Sequence, residues 1–193
     1  MGRSLRPTLV PIFLPHLGCD RRCIYCNQSS ITGTAGKGTF AAQLEAGLSG
    51  RKEPVELALY SGNLFGLPVD HLAGLLGTLR QYRPLISGIR ISTKPVPLNE
   101  EAIDVLKDAG VTVIELGMPS FDDRILALLN RGYTVEEFTR SYRRLQQERF
   151  VLGLQVMVGL PGETEDDLRA TMANLSILRP SLLRIYPLLV LQG

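Results

Sequence analysis

Pro15-His16-Leu17-Gly18-Cys19-Asp20-Arg21-Arg22-Cys23-Ile24-Tyr25-Cys26-Asn27 follows directly on an apolar, β-branched run over residues 8–14 that reads as a first strand. All three cysteines of the chain fall in this stretch, spaced C-x3-C-x2-C. A secreted disulfide framework spreads an even number of cysteines along the chain. Clustered thiols in a reducing compartment point instead to metal or redox chemistry. Thiolates are soft ligands suited to Fe–S clusters, Zn²⁺ or Cu(I). Three of them in one compact loop can hold three irons of a cubane and leave the fourth open. Structural zinc wants four protein ligands. His16 is the nearby fourth, so a Cys3His zinc site stands beside the cluster reading, with three unligated buried thiols as the third.

Outward from this loop, short apolar strands alternate with helical segments. Further strands are predicted over residues 55–60, 89–92, 111–116, 152–158 and 182–186. Helical periodicity runs over 39–48, 69–81, 100–108, 122–129, 135–148 and 165–178. Thr134 with Glu137, and Thr164 with Asp167, have capping-box spacing. Asn99 before Glu100 and Glu101 sets a cap and two acids where the helix dipole favours them. Gly110 is placed as a helix stop. Such alternation implies a parallel sheet with helical crossovers. At about 30 residues per unit, the 193 residues hold about six strands. A closed eight-stranded barrel takes ~250 residues, so the expectation is a single α/β domain over 1–193, an open (β/α)6 partial TIM barrel or a doubly wound sheet. In both, functional groups gather at the C-terminal ends of the strands, and the cysteine loop follows the first of these.

Composition excludes more than it assigns. The chain is 45% hydrophobic and 21% charged, with 21 Lys and Arg against 19 Asp and Glu. That balance carries no basic stripe of the kind that marks phosphate-contacting nucleic-acid binders. No run reaches the ~18 apolar residues of a membrane span, and no signal-peptide cleavage pattern follows Met1-Gly2-Arg3-Ser4-Leu5-Arg6-Pro7, so the expected location is cytoplasmic. The glycine-rich stretch from Gly33 to Thr39 lacks the G-x-x-x-x-G-K-[ST] of a phosphate loop. A G-x-S-x-G elbow is absent, and His16 and His71 are the only histidines.

C-x3-C-x2-C with an aromatic residue before the last cysteine, at the end of a first barrel strand, resembles the radical S-adenosylmethionine (SAM) superfamily. The stretch PIFLPHLGCDRRCIYCNQSSITG (residues 11–33) is similar to the branch of Elongator catalytic-subunit-like and oxygen-independent coproporphyrinogen-oxidase-like proteins. The similarity continues through STKP (92–95), IELGMPSFDD (114–123), LLNRGY (128–133), LGLQVMVGLPGETEDDL (152–168) and LLRIYPLLVLQG (182–193). This resemblance implies a cluster loop over residues 15–31, with Cys19, Cys23 and Cys26 on a 4Fe–4S cluster whose open iron binds the amino and carboxylate groups of SAM. The reduced cluster then cleaves the sulfonium bond, and the resulting 5′-deoxyadenosyl radical abstracts hydrogen from a substrate. Cluster and cofactor carry the hard chemistry, and the protein orients them.

Cofactor contacts transfer from the family residue by residue. By that resemblance, Tyr25 matches the family's aromatic beside the adenine. Gly62 and Asn63 stand where the family's paired glycines line the SAM amino group, with Ser61 in place of the first glycine. Ser92 ends strand three where related enzymes carry a polar ribose or methionine contact. Arg131 matches an arginine near the SAM carboxylate, to which a guanidinium fork is suited. Gln155 occupies a ribose-binding position on strand five, and Gly159-Leu160-Pro161-Gly162 resembles the loop near the adenine. Where relatives read Gly-Val-Gln-Ser, this chain reads Gly117-Met118-Pro119-Ser120, and proline offers neither a polar side chain nor an N–H. No catalytic residue of the chain itself is assigned.

The resemblance also implies a flavodoxin- or ferredoxin-type reductant. One lineage modifies tRNA and another decarboxylates a porphyrinogen, so tRNA enters as a partner by resemblance alone. Relatives continue past strand six into a sixth helix and a covering region; the expectation is a core truncated at or after that strand. Three readings remain: an active radical SAM enzyme, a cluster- or SAM-binding module without turnover, and a Cys3His zinc-binding structural protein.

Overall fold

Strands β1 (Leu9–Leu14), β2 (Val55–Ser61), β3 (Ile86–Thr93), β4 (Val111–Gly117), β5 (Val151–Val158) and β6 (Leu182–Pro187) lie side by side in chain order, every neighbouring pair parallel. The computed structural model describes residues 7–28 and 38–190. The N-terminal residues 1–6, part of the glycine-rich stretch, residues 29–31 of the expected cluster loop and the final 191–193 lie outside them. A doubly wound sheet reverses its strand order at a switch point. This sheet never reverses, so the fold is the open half-barrel of a (β/α)6 partial TIM barrel.

Helices fill the crossovers: α1 (Phe40–Leu48), α2 (Val69–Gly77), α3 (Glu100–Ala109), α4 (Asp123–Leu128), α5 (Val135–Gln146) and α6 (Glu165–Leu178). Their starts follow local chemistry. Thr134 and Thr164 each form a complete capping box, with Glu137 and Asp167. The Asn99 side chain accepts from the Ala102 N–H, and Gly110 closes α3 in the left-handed region at φ 80°.

The second crossover differs from expectation. Helical periodicity suggested one helix over 69–81, but α2 stops at Gly77 and a 3-10 helix carries the chain over Thr78–Leu85. Two glycines in the last turn of α2 and Pro84, which cannot donate, favour the tighter winding. β3 then starts at Ile86, three residues before the apolar run signals it, because the Val55/Glu56 register shift draws Ile86 into pairing.

Side-chain alternation divides the sheet into two unlike faces. On the convex side Ile12, Leu57, Leu59, Ile89, Ile91, Ile114, Leu116 and Leu154 are wholly buried. They share one core with Leu44 and Leu48 of α1, Leu72 and Leu76 of α2, Leu106 of α3 and Phe138 and Tyr142 of α5. Each such side chain contributes roughly 1.5–3 kcal/mol of burial.

The concave face is polar. Glu56 and Tyr60 of β2, Arg90 and Ser92 of β3, Glu115 of β4, Gln155 of β5 and Arg184 of β6 alternate with the buried set and share this side. Glu115 is 1% exposed and receives Arg90 Nη1 at 2.6 Å and Arg184 Nε at 2.6 Å. Gly153 makes this possible, since a Cβ there would press at 3.1 Å on the Glu115 side chain. Arg90 reaches back to Glu56 at 3.0 Å, and Arg184 crosses the lumen to the Tyr60 ring at 5.9 Å. A charge network therefore fills the lumen from β2 across to β6.

Candidate functional site

The cysteine loop sits at the C-terminal end of β1 and is tied to three other elements. His16 turns it through the left-handed region at φ 59°, a conformation uncommon outside glycine. The end of β2 holds it through Asn63 N–H to the Leu17 carbonyl at 2.8 Å. Beyond β3, Lys94 Nζ meets Asp20 Oδ1 at 3.2 Å. After α4, Leu129 accepts from the Ile24 N–H, and Asn130 Nδ2 donates to the Arg22 carbonyl at 2.9 Å. The imidazole Nε2 of His16 is buried without a partner.

Gly62 explains how the loop comes so close to β2. A Cβ at that position would overlap the Cys19 sulfur and the His16 backbone. Only glycine permits this approach. Gly18, at φ 74°, likewise faces the Asn63 carbonyl with no space for a side chain. Asn63 is buried, and its Oδ1 accepts from Thr93 Oγ1 at 3.1 Å, so the β2 end that holds the loop is itself tied to the end of β3.

Arg131 is the centre of the other flank. It is 7% exposed, and all three guanidinium nitrogens are engaged. Nη1 donates to Cys23 Sγ at 3.1 Å and to Tyr25 Oη at 2.9 Å. Nη2 donates to the Gly117 carbonyl at 2.8 Å, and Nε to Tyr133 Oη at 3.0 Å. The Tyr133 hydroxyl closes the circle onto the same Gly117 carbonyl. Burial pushes both phenols above their usual range against the pull of the guanidinium, so they stay neutral hydrogen-bonding groups. The Tyr25 ring packs with Met157 against Ile125, Leu129 and Leu160.

Burial also pushes the Cys19 and Cys26 thiols up, with Lys94 opposing the rise at Cys19. Two thiols reluctant to ionise alone ionise readily when a cation binds them, because the ligand is the thiolate. Asp20 goes the other way: hydrogen bonds from Arg21 and then Lys94 hold its carboxyl at about 2. Among the described residues no three His, Cys, Asp or Glu side chains converge as ligands of one ion, and His16 is not gathered with the cysteines in that way. A cubane distributes three thiolates over three irons and asks for no such convergence. The donor set, the cradle at Gly62 and the cation at Cys23 fit a cluster.

Ser92 and Gln155 meet on the concave face, with Gln155 Nε2 donating to Ser92 Oγ at 3.2 Å and to Glu115 Oε2 at 2.9 Å. Gly117 pairs in register with Gln155, which sets this face beside the Arg131 flank. Ser61, in the first glycine position, turns its hydroxyl to the Ser92 carbonyl at 2.9 Å. The Pro119 carbonyl accepts from Met157 N–H, between a wholly buried Met118 and Ser120.

Sequence reasoning passed over Lys94, Tyr133 and the Glu115 network. One signal was available for the last, a lone carboxylate in the strand Val111–Gly117. No helix of the described residues is long and apolar enough to cross a membrane.

Residues 13–175 match the family described as the radical SAM superfamily. The chain belongs to that superfamily. It is 26% identical over 92% of its length to an uncharacterised protein of Methanocaldococcus jannaschii, of which it spans 60%. It is 30% identical over 82% of its length to the tRNA-2-methylthio-N(6)-dimethylallyladenosine synthase of Baumannia cicadellinicola, of which it spans 38%. Among solved structures, coproporphyrinogen III oxidase (HemN) from Escherichia coli, described as a radical SAM enzyme, superposes with a TM-score of 0.71 at 18% identity. That match covers 96% of this chain and 45% of the oxidase.

Proposed function

We propose that this chain is the core of a radical SAM enzyme, with a 4Fe–4S cluster on Cys19, Cys23 and Cys26 and SAM beside it on the concave face. The observation that carries the reading is the buried Arg131, whose guanidinium donates to Cys23 Sγ at 3.1 Å and ties the loop to the end of β4. A cluster held by these cysteines would supply the single electron for reductive cleavage of the SAM sulfonium, and with it the hydrogen-abstraction chemistry of the superfamily.

The residues of the chain position and shield that chemistry. Cys19, Cys23 and Cys26, presented by one braced loop, would hold the cluster and leave it a coordination position for SAM. Arg131 keeps a fixed positive charge at the Cys23 side, where N–H···S bonds tune a cluster and a SAM carboxylate finds its counter-charge. Tyr25 offers an apolar wall to the adenine. Gly62 and Asn63 present backbone at the β2 end, and Ser92 and Gln155 offer polar atoms to the ribose. A flavodoxin- or ferredoxin-type protein is the reductant. The tRNA-modifying relatives make a tRNA the first substrate to test.

One observation favours a second reading, a cluster- or SAM-binding module without turnover. Pro119 has no polar side chain where relatives carry glutamine, and its carbonyl is already bonded to Met157.

The test is anaerobic iron–sulfur reconstitution followed by EPR of the reduced protein with and without SAM. A 4Fe–4S signal that shifts on adding SAM is expected. Stoichiometric zinc with no cluster overturns the proposal. Formation of 5′-deoxyadenosine by the reduced protein separates the enzyme from the module.

A further inference from the structure

Two cations are buried beside the cysteine loop, and neither has a buried counter-charge among the described residues. Arg131 is 7% exposed, and its acceptors are a thiol, two phenols and a carbonyl, none of them a carboxylate. Lys94 is 5% exposed, and among the described residues its one carboxylate partner is Asp20, at 3.2 Å. The Asp20 side chain is 58% exposed and is shared with Arg21 at 2.7 Å. Solvent screens that carboxylate far more than it screens a buried ammonium. A buried charge without an equally buried partner is costly to keep. The fold nevertheless holds two where the cysteines gather.

Lys94 stands at the Cys19 side of the loop. Its neighbour Thr93 donates to Asn63 Oδ1 at 3.1 Å, which ties the end of β3 to the end of β2. Gly62, next to Asn63, lies against the Cys19 sulfur. Asp20, the partner of Lys94, is the residue after Cys19. Arg131 reaches Cys23 Sγ from the other flank, where it is tied to the end of β4. The two cations therefore bracket the cysteines, one from the end of β3 and one from the end of β4.

We infer that Lys94 sets how readily the cluster is reduced: its buried ammonium favours the state that carries one more electron. This rests on the cluster reading. One electron passes from an external one-electron donor to the cluster, and the site becomes more negative by one unit. At an effective dielectric of about 20, a charge about 10 Å away biases that change by about tenfold. A purely structural role, pinning Asp20 to hold the loop, makes a different forecast. If charge acts, removing the lysine and removing the carboxylate shift reduction in opposite directions. If pinning acts, the two changes work alike.

The experiment is an anaerobic redox titration of the reconstituted full chain without SAM, followed by EPR, with iron and sulfide assayed alongside. In Lys94→Met the ratio of reduced to oxidised cluster at a fixed potential should fall about tenfold, which is about 59 mV for a one-electron couple. Lys94→Arg should restore most of that loss. Asp20→Asn should raise the same ratio by about threefold, less than the lysine effect because solvent screens the carboxylate. Asp20→Asn also decides the matter where Lys94→Met loads too little cluster to titrate. A midpoint unchanged in Lys94→Met, or one that does not rise in Asp20→Asn, overturns the inference while the cluster reading stands. A wild type that takes up zinc or no metal in place of a cluster overturns the cluster reading itself.

Discussion

Gly62 stands against Cys19 so closely that any side chain at 62 would occupy the position of the cysteine sulfur. In a superfamily where glycine at this place is read as a cofactor contact, its first task here is to let the cluster loop lie on the end of β2. Gly62→Ala should displace Cys19 and lower iron and sulfide per chain after reconstitution to well below half of wild type. Gly74→Ala is the control, because a Cβ on Gly74 meets nothing within 4 Å. That helix substitution should stabilise by about 0.5–1 kcal/mol and leave iron content unchanged. Full cluster loading in Gly62→Ala would show that the loop relaxes around a methyl group.

Arg131, itself buried, donates to four acceptors at the closed end of the loop. Arg131→Leu should lower stability by about 2–3 kcal/mol, since Cys23 Sγ and Tyr25 Oη lose their guanidinium donor and the Gly117 carbonyl keeps only the Tyr133 hydroxyl. Arg131→Lys keeps the charge but cannot span Cys23 and Gly117 at once, so it should recover less than half of the loss. Urea unfolding of the metal-free chain reads this without involving the cluster. A lysine variant as stable as wild type would mean that charge alone matters.

Acid sensitivity should trace to Glu115. Burial works to raise its carboxyl, but hydrogen bonds from Gln155, Arg90 and Arg184 win and hold it below the usual carboxylate range. A carboxyl depressed on folding contributes stability in full above its unfolded value, and loses it as pH falls through the folded value. The charged groups that face it are Arg90 and Arg184, with Glu56 beyond Arg90. Wild-type urea midpoints should therefore fall steeply below about pH 4. Glu115→Gln should start from a lower plateau at pH 7 and fall less steeply. Parallel acid limbs in the two proteins would assign the sensitivity elsewhere.

What was legible in the sequence follows from how local each signal is. Thr134 with Glu137 and Asn99 with Ala102 are contacts three residues apart, and both caps stand where spacing placed them. The convex core was legible as apolar strands, and sequential strand–helix alternation left a half-barrel or a doubly wound sheet. Strand order then decided between them, and order is set by long-range pairing that no local pattern encodes. The cysteine loop was readable because its ligands are contiguous. Its bracing was not: Lys94 is 74 residues from Asp20, and Arg131 is 108 from Cys23. Glu115 was hidden for a further reason. A single acid in a strand reads as solvent-facing until the curvature of the sheet brings Arg184, 69 residues away, across the lumen.

Ser61 is the departure from family pattern that the structure interprets most fully. Read from sequence, a serine in the first glycine position threatens a close backbone approach by a ligand. In the fold its hydroxyl is turned toward the neighbouring strand and donates to the Ser92 carbonyl at 2.9 Å, and the residue is 8% exposed. The bond locks the ends of β2 and β3 together directly beneath Ser92, whose own hydroxyl serves the lumen. Ser61→Gly should then cost about 1–2 kcal/mol, from the lost hydrogen bond and the added freedom of glycine in a strand. SAM affinity, measured by equilibrium dialysis on the reconstituted protein, should not improve, because the serine oxygen points away from the site. If restoring glycine instead tightens SAM binding severalfold, the Cβ at 61 obstructs the cofactor, and the serine marks a chain adapted away from tight SAM binding.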